Sequence, residues 1–355
     1  DPKLRLGVLN LPAAGADAFR LNRDDQTMTT VSLMQEVVRP AKREASARLK
    51  RAEAEQWESE QGATAQTIRR DAALAWLDAY EALRRAEVYR RMAEEISAER
   101  KVAASQLSSG RAETGELFRL DTMLAMTNDK RLAARRDERR ARAALARWIG
   151  EAAARPLSAA LPDAMPAADR GQQRALLERN SLLENARRVE ALAHSDADRA
   201  KAGRLEDWSW ELMYGKRQGD RSDMLTFQVS FDLPWDRANR QDRRVAEKLA
   251  LVERARELTE DRRRELRSEL DSARADWEAA EAREREHVAH LIPAAQASLA
   301  IAQANYSAGK APLAAVWEAR RGLLEVELEH WTIQVDRQRA AVRLAYLLDN
   351  PENKP

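Results

Sequence analysis

Few side chains in this chain have the type and spacing to do chemistry. His287 and His290 stand three apart beside Glu284 and Glu286, which would make a weak metal pair. No third ligand is fixed nearby, so they read as surface histidines. His194, in HSDAD, reads as a solvated position, and the run Arg262, Arg263, Arg264 as a solvated helix face. Met123 and Met126 are spaced i,i+3 and could suit a soft metal, but packing in a helix seam is the better reading. AGKAP resembles the end of a phosphate loop. Ala304 occupies the position of the earlier glycine, however, and no strand precedes it. Zero cysteines exclude disulfides, thiolate metal sites and a cysteine nucleophile. No nucleophile–base pair can be placed, so the residues argue against an enzyme and call for no cofactor. Lys+Arg 61 against Asp+Glu 59 leaves a net +2 over 355 residues, too small a field to recruit nucleic acid.

The informative signal lies in the elements. Charged residues make up 34% and aromatics 5%, the composition of long helices. No apolar run reaches the ~18 residues of a membrane-spanning helix, whereas strands of a membrane barrel need only about 9–11. The chain also repeats itself. Gly110, Phe118, Leu124 and Leu145 align with Gly309, Trp317, Leu323 and Leu344 at a constant offset of 199, and VSLMQEVVRPAKR from Val31 aligns with VSFDLPWDRANRQ from Val229 at 198. An internal duplication explains two matches that keep almost one offset.

Each repeat begins with a pair of strands. In MLTFQVSFDL, Leu225, Phe227, Val229, Phe231 and Leu233 alternate with polar residues, and Trp208, Trp210, Leu212 and Tyr214 do so before it. This predicts strands at about 208–216 and 224–233, matched in the first repeat by 3–10 and 27–38. One face would carry Trp208, Trp210, Phe227 and Phe231, and the other Glu211 and Asp232. Helical patterns follow at 40–107 and 114–149, then at 172–202, 236–306 and 312–348. The longest would run roughly 100 Å. Apolar spacing near 3.5 in the second repeat marks a coiled-coil seam, and Pro293 predicts a kink. The organisation is repeat one over 1–150, a proline-bearing linker over 151–170, repeat two over 171–349 and a tail over 350–355. The expected fold is therefore mainly α with a small β part. Four amphipathic strands cannot close a barrel, so they must be pooled between chains or lie flat on the helices. A soluble coiled-coil scaffold or adaptor is the alternative of a different class.

The duplicated strand–strand–long helix–tip–helix unit resembles the TolC family of outer-membrane efflux proteins. VSFDLPWDRANRQ is similar to that family's strand ending in Leu-Pro before a basic helix start. LIPAAQASLAIAQANYSAGKAPLAAVWEARRGLLE resembles its second tip region, and LLERNSLLENA the helix before its strands, with Ser181 where the family usually has Pro. L-P-W-D-R leans towards the heavy-metal, CzcC/CusC-like branch. The resemblance implies a homotrimer with a shared twelve-stranded barrel in outer-membrane lipid and a periplasmic α-helical tunnel. It implies the exit duct of an RND-type tripartite efflux pump, opened by a periplasmic adaptor and energised by an inner-membrane pump; a type I secretion duct is the variant. Leu225, Phe227, Val229 and Phe231 would face lipid. Glu318, and Glu116 in the first repeat, would line the closed tip, although Ala315 stands where a second acid is common and Glu318 could simply be an exposed neighbour of Arg321 at i,i+3. Gly110, Arg111, Tyr306, Gly309 and Lys310 would form the adaptor-facing rim. The duplication further predicts a helix before Asp1, matching the one before the second strand pair.

Overall fold

The computed structural model describes all residues except 109–113, 159, 163–169, 219, 234 and 349–355. Among the described residues the order is β1 (Lys3–Leu9), β2 (Met28–Val37), α1 (Pro40–Ser108), α2 (Thr114–Ile149), a 3-10 turn (Gly150–Ala154), α3 (Arg170–Leu177), α4 (Ser181–Ala202), β3 (Trp208–Arg217), β4 (Met224–Phe231), α5 (Gln241–Glu286), a π-turn (His287–Leu291), α6 (Ile292–Ser307) and α7 (Leu313–Leu348). Two compact units form. One holds residues 1–59 and 185–260, the other residues 60–184 and 261–355. Each takes a piece of both repeats, because strand pairs with strand and helix with helix across the duplication.

The first unit carries an antiparallel sheet in the order β1-β2-β3-β4. Its register follows from the alternation. Leu6 pairs with Val31, Val31 with Tyr214, and Tyr214 with Leu225, so one face collects the apolar residues of all four strands. β4 ends at Phe231, so Asp232 and Leu233, which the alternation placed in the strand, lie beyond it. On the polar face, Gly215 lies against Met28. A Cβ there would come within 2.5 Å of the Met28 sulfur, so the close approach of β2 and β3 favours glycine. Beside the sheet, Ala45, Leu49, Ala197, Val245, Val252 and Ala255 are buried along the helices.

The second unit is helical, and α7 supplies much of its core. Leu344, Leu347 and Leu348 pack with Leu177, Leu183, Leu266 and Leu270, while Val335 packs with Leu77 and Tyr80. The helix expected over 172–202 is two helices. Asn180, fully buried, sits between them. Its Oδ1 accepts from the Leu182 N–H at 2.9 Å, and its Nδ2 donates to the Tyr346 and Leu347 carbonyls at 3.1 and 3.0 Å. This caps the start of α4 and ties it to the end of α7. The stretch read as a linker is partly packed: Leu157 and Leu161 join the helical core, and Gln338 donates to the Pro162 carbonyl at 2.8 Å.

The run expected over 236–306 begins later, at α5, because Asp236 has φ 59° and residues 236–240 form a turn. It is also interrupted at His287–Leu291, where the Ile292 N–H bonds the His287 carbonyl in a π-turn. Pro293 follows immediately and lacks an N–H, so the break predicted there takes the form of a widened turn. Val245, Val252, Thr259, Leu266, Ala273, Ala280 and His287 recur every seven residues, and all are buried. Leu249 and Leu291 share the apolar pattern of this run but are exposed. His287 is therefore a seam residue and not a surface one, while His290 is exposed.

Candidate functional site: an amphipathic sheet and a helix-turn groove

On the sheet, alternation sorts side chains into two chemistries. Leu225, Phe227, Val229 and Phe231 share one face with Leu4, Leu6 and Val31, and all are exposed; Leu6 is 73% exposed and Leu225 71%. The opposite face is polar. Ser32 donates to Glu211 at 2.5 Å, and Arg5 lies 3.6 Å from the same carboxylate. Trp208 lies where β3 begins and Trp235 just past β4, at one end of the sheet, and Trp235 is 82% exposed. Tryptophans at the end of an apolar band suit a membrane–water interface. At that end Asp207 accepts from the Arg39 backbone N–H at 3.0 Å and pairs closely with Lys42. Burial opposes ionisation there, yet the Lys42 and Arg39 contacts outweigh it and hold the Asp207 carboxyl below its ordinary value.

The second candidate region is built where α6 turns into α7. Gly309 has φ +70°. The Gly309 N–H bonds the Tyr306 carbonyl at 2.9 Å, and the Lys310 N–H bonds the Asn305 carbonyl at 2.8 Å. This is a Schellman closure, which needs a left-handed residue at its glycine position. Next to the turn, Tyr306 donates its hydroxyl to Glu116 at 3.2 Å. Burial, then the Glu116 charge, raises the Tyr306 pKa, which keeps the phenol protonated as the donor. Glu116 and Glu318 line one open groove with Phe118, Leu120, Trp317 and Arg321. Glu318 and Lys310 are exposed. The structure thus brings together Glu116, Tyr306 and Glu318; Gly110 and Arg111 lie outside the described residues.

Sequence reasoning missed the charges behind the groove. Arg320 stacks over the Trp317 ring at 5.0 Å and reaches Glu95 at 3.3 Å and Glu99 at 3.0 Å. Burial raises the Glu99 pKa against the pull of Arg320, with Glu95 adding to the rise. Glu95 and Glu99 are an i,i+4 acidic pair on α1, but which cation meets them depends on helix register. Met123 packs beside Leu120 and Trp317, whereas Met126 is exposed. Among the described residues no group of three or more His, Asp or Glu could hold a metal ion. No helix there is long and apolar enough to cross a membrane.

Comparison with known proteins gives this architecture a context. No curated protein sequence matches the chain. Solved structures do. A membrane protein from Pseudomonas aeruginosa superposes with a TM-score of 0.81 at 17% identity, over 98% of this chain and 84% of that one. VceC, an outer membrane protein of Vibrio cholerae, gives 0.79 at 16%, over 98% and 86%. CusC gives 0.80 at 15%, over 98% and 83%, so likeness of fold does not single out the heavy-metal branch. The sequence profile described as outer membrane efflux protein matches residues 172–350, half of the chain. With the amphipathic sheet and the duplicated helical hairpins, that match places the chain in the outer membrane efflux protein family.

Proposed function

We propose that three copies of this chain form the outer-membrane exit duct of an RND-type tripartite efflux pump. The observation that supports the reading most is the sheet. Its apolar face is exposed, its other face is polar, and β1 and β4 each have only one neighbour, so two edges remain open. Exposed edges and an apolar face are liabilities in water. Twelve strands from three chains remove both, with lipid outside and water within, since a membrane barrel needs at least eight. α6 points the same way. Its sequence IPAAQASLAIAQANYS carries no charge and none of its residues is buried, as expected of a surface that packs against a neighbouring copy.

Conduction is passive in this scheme. Leu225, Phe227, Val229 and Phe231 hold lipid, and the Glu116–Glu318 groove borders the constriction near the α6–α7 turn. Tyr306, Gly309 and Lys310, with Gly110 and Arg111, meet the periplasmic adaptor. An acidic constriction favours cations, in keeping with metal-ion cargo. Single-channel recording in planar bilayers tests the reading. Stable ohmic steps are expected, and a protein that inserts without conducting overturns it.

A further inference from the structure

His287, in the π-turn, and His330, on α7, form a pair outside the regions described above. Their rings are 6.3 Å apart and nearly parallel, at 17°. Both Nδ1 atoms are buried and have no hydrogen-bond partner. His287 is 8% exposed. From α5, Glu284 faces the pair, but it is already engaged by Arg337 at 2.8 Å and by Gln334 at 3.1 Å. On α7, Glu329 is paired with Arg283. From α1, Arg84 covers the Trp331 ring at 5.0 Å and donates to Glu87 at 2.8 Å, and Trp331 in turn lies 6.3 Å from His330. Glu284, Glu329 and Glu87 each therefore have a cation of their own, and Glu286, next to His287, is exposed to solvent.

We infer that the His287–His330 pair is a proton-sensitive joint, which holds the π-turn against α7 when both imidazoles are neutral and releases it when they are protonated. Two stacked neutral rings pack as an aromatic pair. Two imidazolium rings at that distance repel in a setting that water reaches poorly. The π-turn already departs from the α-helical hydrogen-bond register, with the Ile292 N–H bonding the His287 carbonyl. The helices that meet here continue to the turn at Gly309, so the joint would set how freely that hairpin moves. Burial lowers the His330 pKa, Glu284 opposes this and His287 adds to it. The sign follows. A histidine whose folded pKa lies below its unfolded one leaves stability intact above the ordinary imidazole value and removes it as pH falls below that value.

Hydrogen–deuterium exchange of the intact protein in detergent, at pH 7.5 and 5.5 and corrected for intrinsic rates, tests the joint without reference to conduction. Peptides covering 284–292 and 327–337 are expected to open several-fold more at pH 5.5, bounded by about tenfold for His330, because pH 5.5 lies about one unit below the ordinary imidazole value. Peptides of α5 near 262–275 should change little. His330→Phe keeps a ring that cannot take a proton, and His287→Gln removes the other site; both should flatten the response. Unchanged protection in the wild type overturns the inference on its own. So does an equal acid response in either variant that is protected normally at pH 7.5.

Discussion

Glu318 is the residue on which the conduction reading turns. It is exposed and lines a groove with Glu116 and Arg321. Three copies around an axis would concentrate negative charge. Glu318→Ala is therefore expected to reduce cation preference and divalent block in bilayer recordings, and unchanged values would remove it from the pore wall. Asn180 tests the packing instead. Its three hydrogen bonds, two of them buried, vanish in Asn180→Ala and leave two carbonyls without that partner, a loss of roughly 2–3 kcal/mol that lowers the denaturation midpoint. Asp207 carries an acid signature. Its folded pKa lies below the unfolded value of 3.8, so its stabilisation is present above that pH and is lost as pH falls through the folded value. Asp207→Asn should flatten acid unfolding of the sheet unit below about pH 4, which denaturation curves at stepped pH would show. At this scale the sequence was only partly legible. The glycine turn was visible because left-handed backbone demands the residue type. The burial of His287 could have been read by extending the seven-residue period from Val245. His330 and Arg320 could not, because their partners come from other helices whose register no local pattern specifies.

At the scale of elements, the sheet was the most legible part, since a period of two specifies both faces at once. β3 and β4 lie within two residues of their predicted ends, and the apolar residues pair row by row. The same alternation makes a sharp prediction. Phe227→Arg puts a charge on the apolar face and should cost about 2–4 kcal/mol if the position lies near the bilayer midplane. Gln228→Arg, one residue along on the polar face, should insert normally. The fraction of each variant recovered folded in lipid vesicles measures the difference, and equal recovery would count against a lipid-facing surface. Helix ends were less legible. The break at Asn180 hides in a continuous helical pattern because the residues on both sides pack into one core. The π-turn hides because a single inserted residue shifts the periodicity without a change of composition.

At the scale of the whole molecule, duplication explains why neither repeat stands alone. β2 of the first repeat pairs with β3 of the second, and α7 shares its core with α1 and α2. The offset of 199 residues made this organisation readable, whereas the division into two compact units did not follow from it. In the proposed assembly the chain completes its barrel only by sharing strands with other copies. Mass measurement of the purified protein in detergent, with the bound detergent subtracted, tests this most directly. A protein mass three times that of the 40.2 kDa chain is expected. A stable, folded single-chain mass would contradict it.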